Sequence, residues 1–126
     1  MMLPEKLRTA AYLQFLYAHI SPHKASLFEE KVAHRTRHVC VVLENIYQSH
    51  NASAVLRSCD CFGVQDVHVI ESEQQFSTVN EISLGSSRWL SLHRYGGPNA
   101  TADAAARLKA KGYTLWATSP HQDDLC

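Results

Sequence analysis

The chain has 126 residues, of which 45% are hydrophobic, and its twelve basic side chains balance twelve acidic ones. This length supports one domain with a core of its own, and a formal net charge of zero argues against indiscriminate binding to nucleic acid. No apolar run approaches the ~18 residues that a membrane span needs, and no signal peptide opens the sequence, so a cytoplasmic protein is expected. The four cysteines lack paired Cys-x-x-Cys spacing, which predicts reduced thiols and no metal site.

The first 37 residues predict a basic helical extension. Residues 3–20 suit a helix, Ser21-Pro22 ends that helix, and a second helix is expected over residues 23–33. Residues 1–40 hold six lysines and arginines against three acids, a balance of plus three. Such a segment suits contact with RNA, and ordinary solvated helix faces are the alternative. The cations expected to reach RNA from this segment are Lys6, Arg35 and Arg37.

From residue 38 onward, hydrophobic strand patterns alternate with helical ones. Strands are expected over residues 39–44, 67–71, 89–93 and 113–118, and helices over residues 51–62, 78–84 and 101–111. The first strand is continuously apolar, as a strand covered on both faces should be, and Gly112 is placed to end the last helix. This alternation predicts an α/β fold with a mostly parallel open sheet.

The most informative segment follows the first strand, at residues 50–64. Five apolar residues recur there at helical spacing and are expected to pack onto the sheet: Ala52, Val55, Leu56, Cys59 and Phe62. That packing leaves Asn51 at the start of the helix, where its side chain can cap the backbone, and turns Arg57 away from the apolar face. A capped helix start with a fixed cation near a strand end suits an anionic ligand. The simpler alternatives are an Arg57 that pairs with Asp60 and an Asn51 that only caps the helix.

The same segment resembles the first motif of the SpoU/TrmH branch of the SPOUT RNA ribose 2′-O-methyltransferases. In that family a strand ending in Leu-Glu-Asn, here Leu43-Glu44-Asn45, is followed by a loop and then by the pattern from Asn51 to Arg57. The likeness continues through Gly85-Ser86-Ser87-Arg88-Trp89 and residues 112–118, so it covers roughly residues 38–121. Ser53, where many members carry glycine, is closer to the branch that methylates a guanosine in the tRNA D loop.

The resemblance implies transfer of a methyl group from S-adenosyl-L-methionine to a ribose 2′-hydroxyl of RNA, with tRNA favoured over rRNA. It implies that Arg57 is catalytic, that Asn51 holds it in place, and that Thr118 borders the cofactor. Ser86 and Arg88 would contact RNA phosphate. Because a guanidinium stays protonated in proteins, Arg57 is expected to act electrostatically, on a phosphate or on the developing alkoxide, while the proton leaves through phosphate or water. For Thr118 and Ser86, a strand end and a turn are the structural alternatives.

Family members continue with two further motifs that thread into a deep trefoil knot and build most of a homodimer interface. Residues 38–126 are therefore expected to form only the Rossmann-like half of the SPOUT fold, without the knot. The 126-residue chain is expected to bind S-adenosyl-L-methionine weakly or not at all, and not to methylate. A non-catalytic RNA-binding module is the second hypothesis. A flavodoxin-like domain is a weaker third, because the loop after the first strand contains no glycine.

Overall fold

The computed structural model describes residues 7–46, 48–72 and 88–118, which form four helices and three strands. In chain order these are α1 (Ala10–Tyr17), α2 (Pro22–Ala33), β1 (Val41–Glu44), α3 (Ser49–Cys61), β2 (Asp66–Glu71), β3 (Ser91–Gly96) and α4 (Ala100–Ala110). Each of them was predicted from the sequence, although several bounds differ by a few residues. The helix expected over residues 78–84 lies outside the described residues.

The three strands form one parallel sheet in the order β1-β2-β3. Val41 of β1 lies opposite Val67 of β2, and Asp66 of β2 lies opposite Ser91 of β3. Parallel neighbours need a crossover connection, which α3 supplies between β1 and β2. The prediction of an α/β fold with a parallel open sheet is therefore confirmed.

One face of the sheet is covered by α3 and is apolar. The buried members of this core are Leu43, Ala52, Leu56, Cys59, Val67 and Leu90. Removing their apolar surface from water, at roughly 25 cal/mol per Å², holds α3 against the strands. Phe62 is the exception among the five residues predicted for this face, because α3 ends at Cys61 and leaves Phe62 82% exposed at the helix end.

On the opposite face of the sheet α4 covers β2 and β3, whereas Val42 of β1 is 39% exposed. Since side chains alternate along a strand, Ile70 of β2 and Tyr95 of β3 point to this side, where they pack with Ala100 and Ala104. The small alanine side chains let the helix lie close to the strands. Gly112 follows the helix with a φ of 88°, as the predicted helix end requires.

The helical extension is fastened to the sheet by the loop after α2. Thr36 forms a parallel bridge with Val64, and its backbone N–H donates to the carbonyl of Gly63 at 2.8 Å. Gly63 has a φ of 74°, and a Cβ at this position would clash with the carbonyl oxygen of His34. The extension therefore contacts the main domain here, while the division of the chain at residue 37 stays a prediction.

The two helices of the extension begin at side-chain caps. The Thr9 hydroxyl accepts a hydrogen bond from the backbone N–H of Tyr12 at 3.2 Å, so α1 begins later than predicted. Ser21 caps α2 in the same way, accepting from the N–H of Lys24 at 3.3 Å, and Pro22 occupies the first turn. The predicted end of one helix and start of the next at Ser21-Pro22 is confirmed. Residues 1–6, where the first helix was expected to start, lie outside the described residues.

The fourth predicted strand is not formed, since residues 113–118 have no regular secondary structure. A strand needs a neighbour for its backbone groups and a layer that covers its side chains. Trp116 is 90% exposed, so no such layer covers this segment within the described part of the chain. The apolar pattern from Tyr113 to Thr118 predicted a strand, but a pattern within one segment does not show whether a neighbouring strand is present to pair with it.

Three further observations concern membrane-spanning helices, groups of possible metal ligands and the cysteines of α3. Among residues 7–46, 48–72 and 88–118, no helix has the length and apolar character that crossing a bilayer requires. The same residues contain no group of three or more His, Cys, Asp or Glu side chains that could hold a metal ion. Cys59 is buried and Cys61 is exposed, both as free thiols, so these neighbouring cysteines point to different sides of α3 as their spacing predicted.

Candidate functional site

The start of α3 lies at the carboxyl end of β1 and differs from its predicted geometry. Gln48, not Asn51, occupies the N-cap position, with an extended backbone at φ −95° and ψ 111°. The prediction that Asn51 caps the helix is wrong because α3 begins two residues earlier, at Ser49. Asn51 lies instead in the exposed first turn, where its Nδ2 donates to Oε1 of Gln48 at 3.2 Å.

Arg57 lies on the solvent face of α3, as predicted. The neighbouring Leu56 is only 3% exposed and fixes the rotation of the helix on the sheet, so the guanidinium is turned outward. The alternative pairing of Arg57 with Asp60 does not occur, because Asp60 pairs with Arg35. Within the described residues no carboxylate pairs with Arg57. The cation is therefore available to an anionic ligand.

Asn51 and Arg57 share the exposed side of one helix without touching each other. Six residues of α-helix separate them by about 9 Å along the axis and about 120° around it. His50 is also exposed and lies two turns before Arg57, in the same row. The face thus presents an amide and an imidazole near the helix start and a cation farther along. Such a spacing suits an extended ligand, for example consecutive groups of a sugar-phosphate chain.

Asn45 orders the turn between β1 and α3, and the sequence reasoning gave it no functional role. Its φ of 45° lies in the left-handed region, which asparagine tolerates better than most side chains. Its backbone N–H donates to the carbonyl of Ile70 at 2.9 Å, and its Nδ2 donates to Oγ of Ser72 at 2.8 Å. The backbone N–H of Ser72 donates in return to Oδ1 of Asn45 at 3.0 Å. An asparagine directly after a buried strand was the available signal.

The acidic side chains at the carboxyl ends of the strands are engaged by neighbours. Glu44 accepts a hydrogen bond from the Thr101 hydroxyl at 2.6 Å, which ties β1 to the first turn of α4. Glu71 pairs with Arg94 at 3.0 Å, which ties β2 to β3. Both carboxylates are thereby held in place at the carboxyl ends of their strands.

Arg35 occupies a different environment from the one expected of an RNA contact. Its side chain is 15% exposed and pairs with Asp60 of α3, whose side chain is 28% exposed. Nη1 of Arg35 is buried and has no hydrogen-bond partner among the described residues. This geometry makes Arg35 a link between the extension and α3, so the structure does not support its assignment to the RNA surface.

Arg37 and Arg88 are exposed, but both lie toward the amino ends of the strands. Arg37 Nε is 3.3 Å from Oδ2 of Asp66, the first residue of β2, while 63% of the arginine side chain stays exposed. Arg88 precedes Trp89, which is half exposed and packs against Phe28 of α2 with ring centroids 5.6 Å apart. Trp89 is therefore only partly inserted into the core, which was the structural alternative to an RNA-binding role for this turn.

Of the three remaining predicted site residues, the structure describes one, Thr118. Thr118 is exposed and does not end a strand. Lys6 and Ser86 lie outside the described residues. The structure therefore places Asn51 and Arg57 on the exposed part of α3. It places Arg37 and Arg88 toward the amino ends of the strands.

A polar cluster on the α4 face of the sheet was missed by the sequence reasoning. His68 is 2% exposed, its Nδ1 lies 2.9 Å from the Tyr95 hydroxyl, and its ring stacks on that of His93 with centroids 4.6 Å apart. His93 Nε2 lies 2.9 Å from Oδ1 of Asp66. Burial, followed by the charge of His93, lowers the pKa of His68 from 6.5 to about 4. His68 is therefore neutral near pH 7 and packs as a satisfied core side chain.

Cys40 and Cys59 do not resemble catalytic thiols. Burial raises the pKa of Cys59, and burial together with the charge of Asp66 raises the pKa of Cys40. Since the thiolate is the nucleophilic form, a raised pKa disfavours reactivity near neutral pH.

Comparison with known proteins gives a family match and several relatives. The model of the SpoU rRNA Methylase family matches residues 38–126. A tRNA (guanosine(18)-2'-O)-methyltransferase of Borreliella burgdorferi is 39% identical over 100 residues, which are 79% of this chain and 44% of that protein. A protein of the same name from Thermus thermophilus is 36% identical over 95 residues, which are 75% of this chain and 47% of that protein. The chain thus spans less than half the length of these relatives.

A solved structure shows the same fold. The crystal structure of the TrmH/SpoU tRNA modifying enzyme of Aquifex aeolicus superposes on this chain with a TM-score of 0.66. The superposition covers 80% of this chain and 50% of that one, at 24% sequence identity. At that identity the likeness speaks for the arrangement of helices and strands alone.

Proposed function

The chain belongs to the SpoU methylase family, and from that membership we propose that it takes part in methylating a ribose 2′-hydroxyl of RNA. The observation that carries the proposal is the position of Arg57. Its guanidinium is exposed on the sheet-packed helix of the family motif, and the nearest acidic residue on that helix, Asp60, is already paired with Arg35. A cation held on a rigid helix and left without a carboxylate in the described residues can meet an anion at little cost in reorganisation.

Arg57 acts electrostatically in this proposal. A guanidinium remains charged and cannot accept the proton of a hydroxyl, so it clamps a phosphate or stabilises the developing alkoxide. The proton then leaves to phosphate or water. Asn51, held by its hydrogen bond to Gln48 in the first turn, orients the sugar relative to Arg57.

The RNA partner is proposed to be tRNA, with a guanosine as the target. The relatives named above are tRNA (guanosine(18)-2'-O)-methyltransferases, which favours tRNA over rRNA. The proposed RNA contacts are Arg57, Arg88, Arg37, Lys6 and Ser86. Arg35 is left out because its charge is used within the protein. Action on tRNA also implies a cytoplasmic location, and the family implies a homodimer.

The methyl donor implied by the family is S-adenosyl-L-methionine, which would supply an electrophilic methyl group. The described residues do not enclose a site for it, because Thr118, its proposed contact, lies exposed and outside the sheet. The 126-residue polypeptide by itself is therefore proposed to bind this cofactor weakly or not at all and to be inactive. Isothermal titration should show no saturable binding, and a low-micromolar dissociation constant would contradict the proposal.

Binding of the 126-residue chain to a tRNA transcript tests the role of Arg57. Arg57→Ala should weaken binding about tenfold and reduce the slope of log affinity against log salt by about one, because one phosphate contact is lost. Arg107→Ala is the matched control, since Arg107 is an equally exposed arginine on α4. Equal losses in the two variants would show that only net charge matters and would remove Arg57 from the site.

A non-catalytic RNA-binding module is the second candidate. It is favoured by the exposed position of Thr118, since the described residues present cations without a cofactor site. Salt-sensitive tRNA binding, with no transfer from labelled S-adenosyl-L-methionine after the remaining half of a family relative is added in trans, would support it. Methyl transfer in that mixture would support the enzyme.

A further inference from the structure

The turns at the carboxyl ends of β1 and β2 are joined by one pair of side chains, Asn45 and Ser72. Nδ2 of Asn45 donates to Oγ of Ser72 at 2.8 Å, and Oδ1 of Asn45 accepts from the backbone N–H of Ser72 at 3.0 Å. The Ser72 hydroxyl also lies 3.2 Å from Oδ1. Both residues are half-buried, so these bonds are partly shielded from competing water.

This contact is more than strand pairing continued by one residue. β1 ends at Glu44, and the left-handed φ of Asn45 turns the chain out of the sheet at once. The amide side chain then takes over from the backbone ladder, with one donor and one acceptor facing the first residue beyond β2. Another side chain of similar size would lack either the amide donor or the tolerance for this φ.

The pair stands at the entrance to the segment that carries the proposed site. Only residues 46–48 separate Asn45 from α3, and Ile46 packs on the α3 core. The first turn of α3 then holds Asn51 through its bond to Gln48. A change at Asn45 is therefore transmitted to the start of α3 along a very short stretch of chain.

We propose that Asn45 and Ser72 form a positioning clamp, which fixes the start of α3 and thereby sets where Arg57 meets the sugar-phosphate chain. Asn45 acts through Arg57 and does not itself touch RNA. The inference rests on the proposed function of Arg57. It adds a positioning role for two residues whose own hydrogen bonds are complete within the protein.

The clamp can be removed while the backbone conformation is kept. Asn45→Gly retains the left-handed φ without strain and deletes all side-chain bonds to Ser72. In tRNA binding by the 126-residue chain, this variant should lose affinity about fivefold, and Ser72→Ala should lose a similar factor. The conservative Asn45→Asp keeps Oδ1 as acceptor for the Ser72 N–H and should stay within about twofold of the parent.

A double-mutant cycle separates positioning from general weakening of the fold. If the clamp acts through Arg57, Asn45→Gly should cost no further affinity in an Arg57→Ala background, so the double variant should bind like Arg57→Ala alone. Additive losses in the double variant would overturn the proposal. Urea unfolding of each variant ensures that affinities are compared where the protein is folded. Should Asn45→Gly not fold, the same cycle with Ser72→Ala decides the question.

The two proposals fail in different ways. If Arg57→Ala leaves tRNA affinity unchanged, the proposed function itself is overturned. If Arg57→Ala weakens binding while Asn45→Gly and Ser72→Ala do not, the clamp alone is overturned and the role of Arg57 stands.

Discussion

Two regions of this molecule carry arginines predicted to contact RNA, and the structure uses them in opposite ways. At the junction between the extension and the sheet, Arg35 pairs with Asp60, and its side chain is only 15% exposed. On the outer face of α3, Arg57 has no carboxylate partner among the described residues. A count of positive charges in the sequence treats these residues alike. The difference shows that pairing and burial, more than local net charge, decide whether a cation is available to a ligand.

The junction region is built for rigidity. Its ion pairs lie around a parallel bridge between Thr36 and Val64, and its turn requires a glycine at position 63. The outer face of α3 is exposed to solvent, and the helix is held on the sheet by the buried side chains of Leu56 and Cys59 on its inner face. Substitutions in the first region should therefore change stability, and substitutions in the second should change binding.

Gly63→Ala should give the largest loss of stability in the described molecule. The alanine would be strained at a φ of 74°, and its Cβ would meet the backbone of His34, so we expect a loss of about 3 kcal/mol in the free energy of unfolding. Gly97→Ala is the control, because its φ is 93° but nothing lies within 4 Å of the added Cβ. That variant should lose only about 1 kcal/mol. Equal losses in urea titrations would mean that the junction is not closely packed.

The pH dependence of stability tests the polar network that extends from the junction. Arg37 contacts Asp66, Asp66 contacts His93, and the ring of His93 stacks on His68. Because the pKa of His68 is lowered from 6.5 to about 4, the unfolded chain binds a proton at a higher pH than the folded one. This contribution is fully present above pH 6.5 and is lost as the pH falls toward 4.

The expected size of this effect is about 3 kcal/mol between pH 7 and pH 4. His68→Gln should flatten that part of the stability profile, measured by urea unfolding at a series of pH values. The variant will be less stable at pH 7, because the contact with Tyr95 changes, so the slope is the decisive quantity. Parallel profiles for the parent and the variant would show that His68 does not titrate in this range.

Matched replacement of two arginines gives the smallest change in stability and the sharpest contrast. Arg35→Met leaves Asp60 partly buried without its cation and should cost about 1 to 2 kcal/mol, less than for a fully buried pair. Arg57→Met should change the free energy of unfolding by less than about 0.5 kcal/mol, since the side chain is exposed. Similar losses of stability in the two variants would contradict this contrast. A larger loss of tRNA affinity in Arg35→Met than in Arg57→Met would also contradict it.

Local patterns predicted much of the fold. The alternation of apolar strand and amphipathic helix from residue 38 onward specified β1, α3, β2, β3 and α4, and the cap signals at Ser21-Pro22 and Gly112 were confirmed. These features depend on interactions between residues close in sequence, which a sequence displays directly. The segment over residues 113–118 failed as a strand because a strand also depends on a neighbour that local pattern does not contain.

The candidate site was predicted in its residues more than in its geometry. Arg57 was expected on the exposed side of α3 and lies there, because the spacing of Leu56 and Cys59 fixes which side faces the sheet. Asn51 was placed in the correct turn but predicted at the N-cap position, which Gln48 occupies without a side-chain capping hydrogen bond. A shift of two residues in a helix start is enough to exchange the two, since several polar residues there are able to cap.

The sequence by itself determined which helix would lie on the sheet and which of its cations would face outward, because apolar periodicity is a local property that burial enforces. Only the tertiary structure decided that Asp60 is taken by Arg35, that Asn45 is bonded to Ser72, and that His68 lies neutral beneath α4. The first two contacts join residues 25 and 27 positions apart. Their partners are selected by the packing of whole elements, which no local pattern encodes.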